Sequence, residues 1–207
     1  MRRKSFASAR RPLCRRSICS AFNSLAFIVL AQTIHGAIDL IPVPSERNVE
    51  GVVFKQLVFR ETERQIERQI TYQQPTGWTY SGGKNALRLA PPEMPQVRAE
   101  IEQSPLPIPQ VLDAATINLL RDQEMRRIPG SEEVTLVLEE QSPLRFKGRD
   151  TYGLTLSYLL HGQRYTSNVL FANLEDTQLR FRVVAPTDQF EKVFKSFRGS
   201  LFTLQGL

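Results

Sequence analysis

Reactive side chains are scarce in this chain. Its two cysteines, Cys14 and Cys19, both lie near the N-terminus, and of its two histidines, His35 and His161, only one follows residue 37. The segment from Ile38 onward therefore has no disulfide framework and no thiol nucleophile. One histidine without cysteine cannot supply the four nitrogen or sulfur ligands of a zinc site. A Ser-His-Asp arrangement would need His161 oriented and partly buried, but it borders a hairpin turn with no G-x-S-x-G nearby. The expectation is a chain that is not an enzyme and needs no cofactor or metal.

Acidic residues are also missing, but only locally. Residues 1–37 contain Arg2, Arg3, Lys4, Arg10, Arg11, Arg15 and Arg16 and no acid. The apolar run Leu25-Ala-Phe-Ile-Val-Leu-Ala31 and the small pair Gly36-Ala37 follow. A basic start, a short apolar stretch and a small-residue exit describe a secretory signal peptide over 1–37, with cleavage at Ala31 or Ala37. The apolar run is far short of the roughly 20 residues that span a bilayer. An organelle transit peptide is the alternative, so the expected location is periplasmic or extracellular, or an organelle lumen. The formal charge of +6 changes sign without this segment, because 20 basic and 21 acidic residues remain, a net of −1. Nucleic-acid binding loses its electrostatic basis. The expected contact with a membrane is through the export signal alone.

Beyond the leader, residues 38–50 read as an extended tether with Pro42 and Pro44, and residues 51–207 as one domain. Val52 to Phe59 is rich in β-branched and aromatic residues and reads as a strand. Over residues 60–74, Ile66, Ile70 and Tyr72 fit a strand, the reading taken, while Glu63, Glu67 and the Gln/Arg richness would also fit a helix. Pro75-Thr-Gly77 is a turn before Trp78, which is expected in the core or at its rim. Ser81-Gly-Gly-Lys84 is expected to be a second turn. It resembles a phosphate loop but lacks the spacing and the following helix. Val97, Ala99 and Ile101 alternate with charged residues, giving a strand with one wet face. Six of the thirteen prolines fall between Pro91 and Pro109. Ser104-Pro-Leu-Pro-Ile-Pro109 favours a polyproline connector, and Pro92-Glu-Met-Pro95 is a weak candidate for docking on an aromatic groove. Leu112 to Arg127 reads as a helix with apolar positions Leu112, Ala115, Leu119 and Leu120. Val134, Leu136 and Leu138 begin the next strand. The acid pairs Glu132-Glu133, Glu139-Glu140 and Glu175-Asp176 read as solvated charge.

The clearest pattern is near the C-terminus. Tyr152, Leu154, Leu156, Tyr158 and Leu160 alternate, and so do Tyr165, Ser167, Val169 and Phe171 after Gly162-Gln163. Period two predicts a hairpin with one buried face, and the Gly-X pair predicts a type II′ turn. That turn sets Leu160 opposite Tyr165, Leu156 opposite Val169 and Ser157 beside Asn168. A third strand brings Leu179, Phe181 and Val183 inward. If Phe171 lies opposite Leu179, Arg182 comes beside Asn168 and Arg180 beside Leu170. Ser157, Asn168, Arg180 and Arg182 are therefore the candidate binding residues, a polar patch for an anionic partner. A last helix follows Pro186 with Phe190, Val193, Phe194, Phe197 and Leu201 on one stripe. Asp188 and Glu191 have capping-box spacing.

Ile70-Thr-Tyr-Gln-Gln-Pro-Thr-Gly-Trp78 resembles the strand, proline turn and tryptophan that open PsbP-like domains. The helix at Leu112–Arg127, the meander through Gly153 to Val184 and the closing Phe190-Glu-Lys-Val-Phe-Lys-Ser-Phe197 helix follow in the same order. The resemblance covers about residues 65 to 203. That family includes PsbP subunits of photosystem II, a yeast Ran-binding import factor, DcrB-type bacterial envelope proteins and secretion-system chaperones. It implies an α+β fold, an antiparallel sheet of about six to eight strands packed by two main helices in an α/β/α sandwich. It also implies a non-enzymatic binding or adaptor role with a protein partner in the envelope, as a monomer or weak oligomer. Both sheet faces would then be covered, and the arginine face would be partly roofed by the first helix. A carrier of a small apolar, lipid-like ligand held between sheet and helices is the alternative function.

Overall fold

The computed structural model describes residues 38–61, 69–128, 132–146 and 148–206. The expected leader over 1–37 and the Ile66 part of the strand expected around Ile66, Ile70 and Tyr72 lie outside the described residues. Three strands, β1 (Ile38–Val49), β2 (Val52–Glu61) and β3 (Gln69–Tyr72), form one antiparallel sheet in that order. Seven more form the main sheet: β4 (Thr79–Gly83), β5 (Ala86–Ala90), β6 (Arg98–Pro105), β7 (Glu132–Gln141), β8 (Thr151–Leu160), β9 (Gln163–Asn173) and β10 (Thr177–Pro186). Their spatial order is β4-β5-β6-β10-β9-β8-β7. The chain leaves β6 through helix α1 (Ala114–Arg126), enters the far edge at β7 and meanders back until β10 closes against β6. Helix α2 (Thr187–Leu201) follows β10 directly. This is an α+β sandwich with a second, smaller sheet that the sequence reading did not anticipate.

The core lies between the main sheet, α2 and the base of the small sheet. Leu87, Leu89, Ala99, Ile101, Leu179, Phe181 and Val183 point to this side and meet Phe190, Val193, Phe197 and Leu201. Those four helix positions fall on one stripe, as 3.6 residues per turn requires. The expected capping box does not form. Pro186 is the N-cap with no side-chain hydrogen bond, and the Thr187 hydroxyl instead meets that of Thr166 at 3.0 Å. Tyr72, fully buried, shares a 2.7 Å hydrogen bond with the Ser200 hydroxyl and so ties β3 to α2. Trp78 is buried in the same core, as expected.

The segment read as a loose tether is extended but paired, because it is strand β1. Ile38 and Leu40 are buried, and the buried amide of Gln103 holds the Ile38 backbone and the Lys84 carbonyl together. Burial of two apolar side chains and satisfied backbone groups outweigh the entropy of a free segment. This approach also explains the Gly-Gly pair, which was read as a turn. Residues 81–83 belong to β4 and the turn is at Lys84-Asn85. A Cβ on Gly82 would sit 2.6 Å from the Leu40 carbonyl oxygen and against the Pro42 ring, so only glycine admits β1 here.

The hairpin turn also differs from its expectation. His161 (φ 50°) and Gly162 (φ 78°) are the two turn residues, which is the type I′ requirement of positive φ at both positions. The register is shifted by two: Leu160 pairs with Gln163, Tyr158 with Tyr165, and Leu154 with Val169. A shift of two keeps each side chain on its own face. β8 and β9 are central strands with both faces covered, so Thr151, Gly153 and Thr155 are buried as well as the alternating apolar residues. Pro105 ends β6 opposite Thr177, past the reach of β5, which pairs only to Glu102. A proline is tolerated there because that side of the strand has no neighbour. The Pro91–Val97 stretch folds on itself: Met94 N–H donates to Pro91 and Val97 N–H to Met94, and the Met94 side chain packs on the core.

Candidate functional site

The second face of the main sheet carries the candidate site. One half of it is roofed by α1. Asp113 caps this helix, its carboxylate accepting the Thr116 N–H at 2.8 Å, and that bond holds the carboxyl below its usual range. The helix presents Ile117, Leu120 and Glu124 to the sheet, rather than the expected Ala115 and Leu119. Leu119 is exposed. Beneath lie Tyr152, Leu154, Leu156, Val169 and Phe171. Burial and the Glu139 carboxylate, 2.6 Å away, push the Tyr152 hydroxyl above its ordinary range. Arg180 rises from the sheet to meet Glu124 with Nε at 2.8 Å and Nη2 at 2.6 Å, while its Nη1 reaches Glu102. Desolvation opposes the charge, but the two carboxylates outweigh it and keep Arg180 protonated.

The other half of the face is open, a groove of about 860 Å³. Its floor is set by the register. Arg182 stands between Val169 and Glu100, and Arg88 faces Glu100 from the far side at 3.0 Å. In the next row Arg98 and Ser167 flank Val184. Beyond them Tyr158 and Tyr165 stack with ring centroids 6.0 Å apart and an interplanar angle of 15°. Burial raises the Tyr158 hydroxyl pKa, and the neighbouring Arg182 partly opposes this. Tyr80 and Gln96 complete the rim.

The four residues singled out from sequence do not form one patch. Arg180 and Arg182 share the second face, but Arg180 is buried under α1 and only Arg182 lines the groove. Ser157 and Asn168 point to the α2 side, where Asn168 donates to the Thr155 hydroxyl at 3.0 Å and pairs in register with Val183. The cause is one residue of register: Leu179 pairs with Ala172, not Phe171, and such a slip exchanges the faces of a strand. Arg98 was read as part of a wet face, which it is. Tyr158, Tyr165 and Ser167 were read as alternating positions on the buried face of the hairpin. Their signal was a pair of hydroxyl-bearing aromatics at the hairpin end, where coverage by a helix runs out. The acid pairs are turned toward arginines: Glu133 toward Arg164, Glu139 toward Arg121, Glu140 toward Arg198 and Glu175 toward Arg149.

No protein-family model and no curated protein sequence matches the chain. Solved structures do match it. Cyanobacterial PsbP (CyanoP) from Synechocystis sp. PCC 6803 is similar over 67% of this chain and 86% of its own, with 12% identity and a TM-score of 0.50. The Ran-binding protein Mog1p of Saccharomyces cerevisiae covers 80% of this chain and 96% of its own, at 9% identity and a TM-score of 0.47. PA94 from Pseudomonas aeruginosa, described as a putative regulator of unknown function, covers 78% and 96% at 9% identity and a TM-score of 0.43. At such identities the likeness concerns the fold alone, and the fold of this chain is a PsbP-like α+β sandwich.

Proposed function

We propose that this chain is an exported, non-enzymatic binding protein of the cell envelope that engages another protein through the open half of its sheet. The observation that carries the reading is the groove: one sheet face is half roofed by α1 and half left as an open volume floored by tyrosines and arginines. Aromatic and arginine side chains are the types that dominate protein contact surfaces. The groove's own chemistry favours holding over reacting. Thr79 donates its hydroxyl to the Ala90 carbonyl, and Glu100 is engaged by Arg88. Export rests on the basic and apolar pattern of residues 1–37.

The carrier reading needs room beneath a helix. The space between the sheet and α2, lined by Leu170, Phe181, Phe194 and Phe197, holds about 20 Å³, enough for a water but not a lipid. A protein segment lying on the open face is the better fit. The test is a photo-crosslinking amino acid at Tyr165 in the groove and, separately, at Lys192 on the exposed side of α2. A discrete crosslinked species from Tyr165 alone supports the reading. Crosslinking from Lys192 alone, or none from Tyr165, overturns it.

A further inference from the structure

We infer that the groove is built for an extended acidic segment carrying carboxylates at alternate residues, an inference that rests on the binding role proposed above. The first argument is unspent hydrogen-bonding capacity. Among the described residues, buried side-chain polar atoms without a partner are Gln74 Oε1, Ser167 Oγ and Arg182 Nε. Arg182 lines the groove, and Ser167, buried and outside that lining, is its diagonal neighbour on the same sheet face, because Ser167 pairs with Val184 and Arg182 with Val169. Arg182 Nε is a donor, and the Ser167 hydroxyl can donate as well as accept. A buried donor without an acceptor costs free energy, and the acceptor that satisfies an arginine and a hydroxyl together is an anionic oxygen.

The second argument is charge. Arg88, Arg98, Arg182 and Glu100 line the groove, and Arg88 and Glu100 neutralise each other. Arg98 and Arg182 are left without a carboxylate partner among the described residues. A cationic or neutral guest would leave that field uncompensated, while a carboxylate relieves it.

The third argument is spacing. Arg98 pairs with Val184 and Arg182 with Glu100, so the two arginines are diagonal neighbours across β6 and β10. Such diagonals are about 7–8 Å apart. Side chains two residues apart on one face of an extended strand are separated by about 6.7 Å. A segment with glutamate or aspartate at positions i and i+2 thus presents one carboxylate to each arginine. Its intervening residue faces away, and a neighbouring apolar or aromatic residue meets the Tyr158–Tyr165 stack.

The probe is a blocked, fluorescently labelled peptide alternating glutamate and threonine, titrated by anisotropy against the full chain. Matched peptides carry glutamine or lysine in place of glutamate. The acidic peptide binds and the other two do not. Arg182→Gln weakens binding about tenfold or more, and Arg98→Gln about threefold, in line with one half-buried and one exposed charge-assisted contact. Ser167→Ala also weakens binding, yet leaves Tm unchanged or raises it, since it removes a buried hydroxyl that has no partner in the free protein. Arg182→Lys keeps the charge, removes the Nε donor and loses most of the affinity, which guards against a folding artefact. Lys192→Gln leaves binding unchanged. Equal binding of the three peptides, or no binding of the acidic one, overturns the acidic specificity. Acidic-peptide binding that ignores Arg98, Ser167 and Arg182 overturns the groove itself, and the proposed function with it.

Discussion

The two faces of the seven-stranded sheet are made from the same strands and meet opposite fates. On the α2 side, side chains from β5, β6, β9 and β10 close on four helix residues and leave almost no space. On the α1 side, a helix with only Leu120 and Glu124 fully buried covers half the face, and arginines stand where the first side has Leu179, Phe181 and Val183. α2 is held by apolar area. α1 is held by a small apolar cluster and by one buried ion-pair network. A face sealed by apolar contact is a foundation. A face held by charge and left half open is where a partner can be met.

Breaking the sealed face should cost most. Phe181→Ala, at a position with no exposure that stacks on Phe146 at 5.2 Å, is expected to destabilise by about 3–5 kcal/mol in denaturant titration. Glu124→Leu on the other face leaves Arg180 with Glu102 alone and is expected to cost about 2–3 kcal/mol. Adding Arg180→Met should restore much of that, because the desolvated charge goes with it. A smaller loss on both would mean that α1 is not latched by charge.

Acid and alkali should separate the faces further. Tyr72 lies under α2, and burial raises its pKa far above the ordinary phenol value, with Ser200 partly opposing. A raised acid pKa gives stability that is complete below the unfolded value and lost as pH rises past it. The difference in stability between wild type and Tyr72→Phe should thus change only above about pH 10. Asp113 at the start of α1 behaves in the opposite sense. Its lowered pKa supports the fold above the unfolded value near 3.8 and is lost as pH falls through the folded one. Asp113→Ala should lower Tm at neutral pH, and the gap should close in acid. The smallest effect belongs to the turn shared by both faces: His161→Asn is expected to gain a few tenths of a kcal/mol, since asparagine adopts positive φ more readily.

Much of the fold was legible because burial leaves a periodic trace. The Phe190–Leu201 stripe and the Leu179–Val183 alternation appear where the pattern places them, and the helix read over Leu112–Arg127 is found at Ala114–Arg126. The β1 strand was not legible, since Pro42 and Pro44 look like linker; its strand partner is the adjacent β2, but its buried first residue is held by the amide of Gln103, far along the chain. The candidate site was legible only in part. Arg182 carries over, but Ser157 and Asn168 belong to the other face. Where both faces of a strand are buried, alternation no longer says which side is wet, and one residue of register in the β9–β10 pairing decides it.

The amino-acid order by itself determined the three strands of the C-terminal meander, both helices and that a single histidine serves the whole described domain, because these follow from local periodicity, turn chemistry and composition. Only the tertiary structure decided that Arg180 is roofed while Arg182 is open, that Ser167 and Arg182 share a face, and that Gly82 exists to admit β1. Those outcomes depend on long-range register and on where α1 ends, and neither is written in any local stretch of sequence.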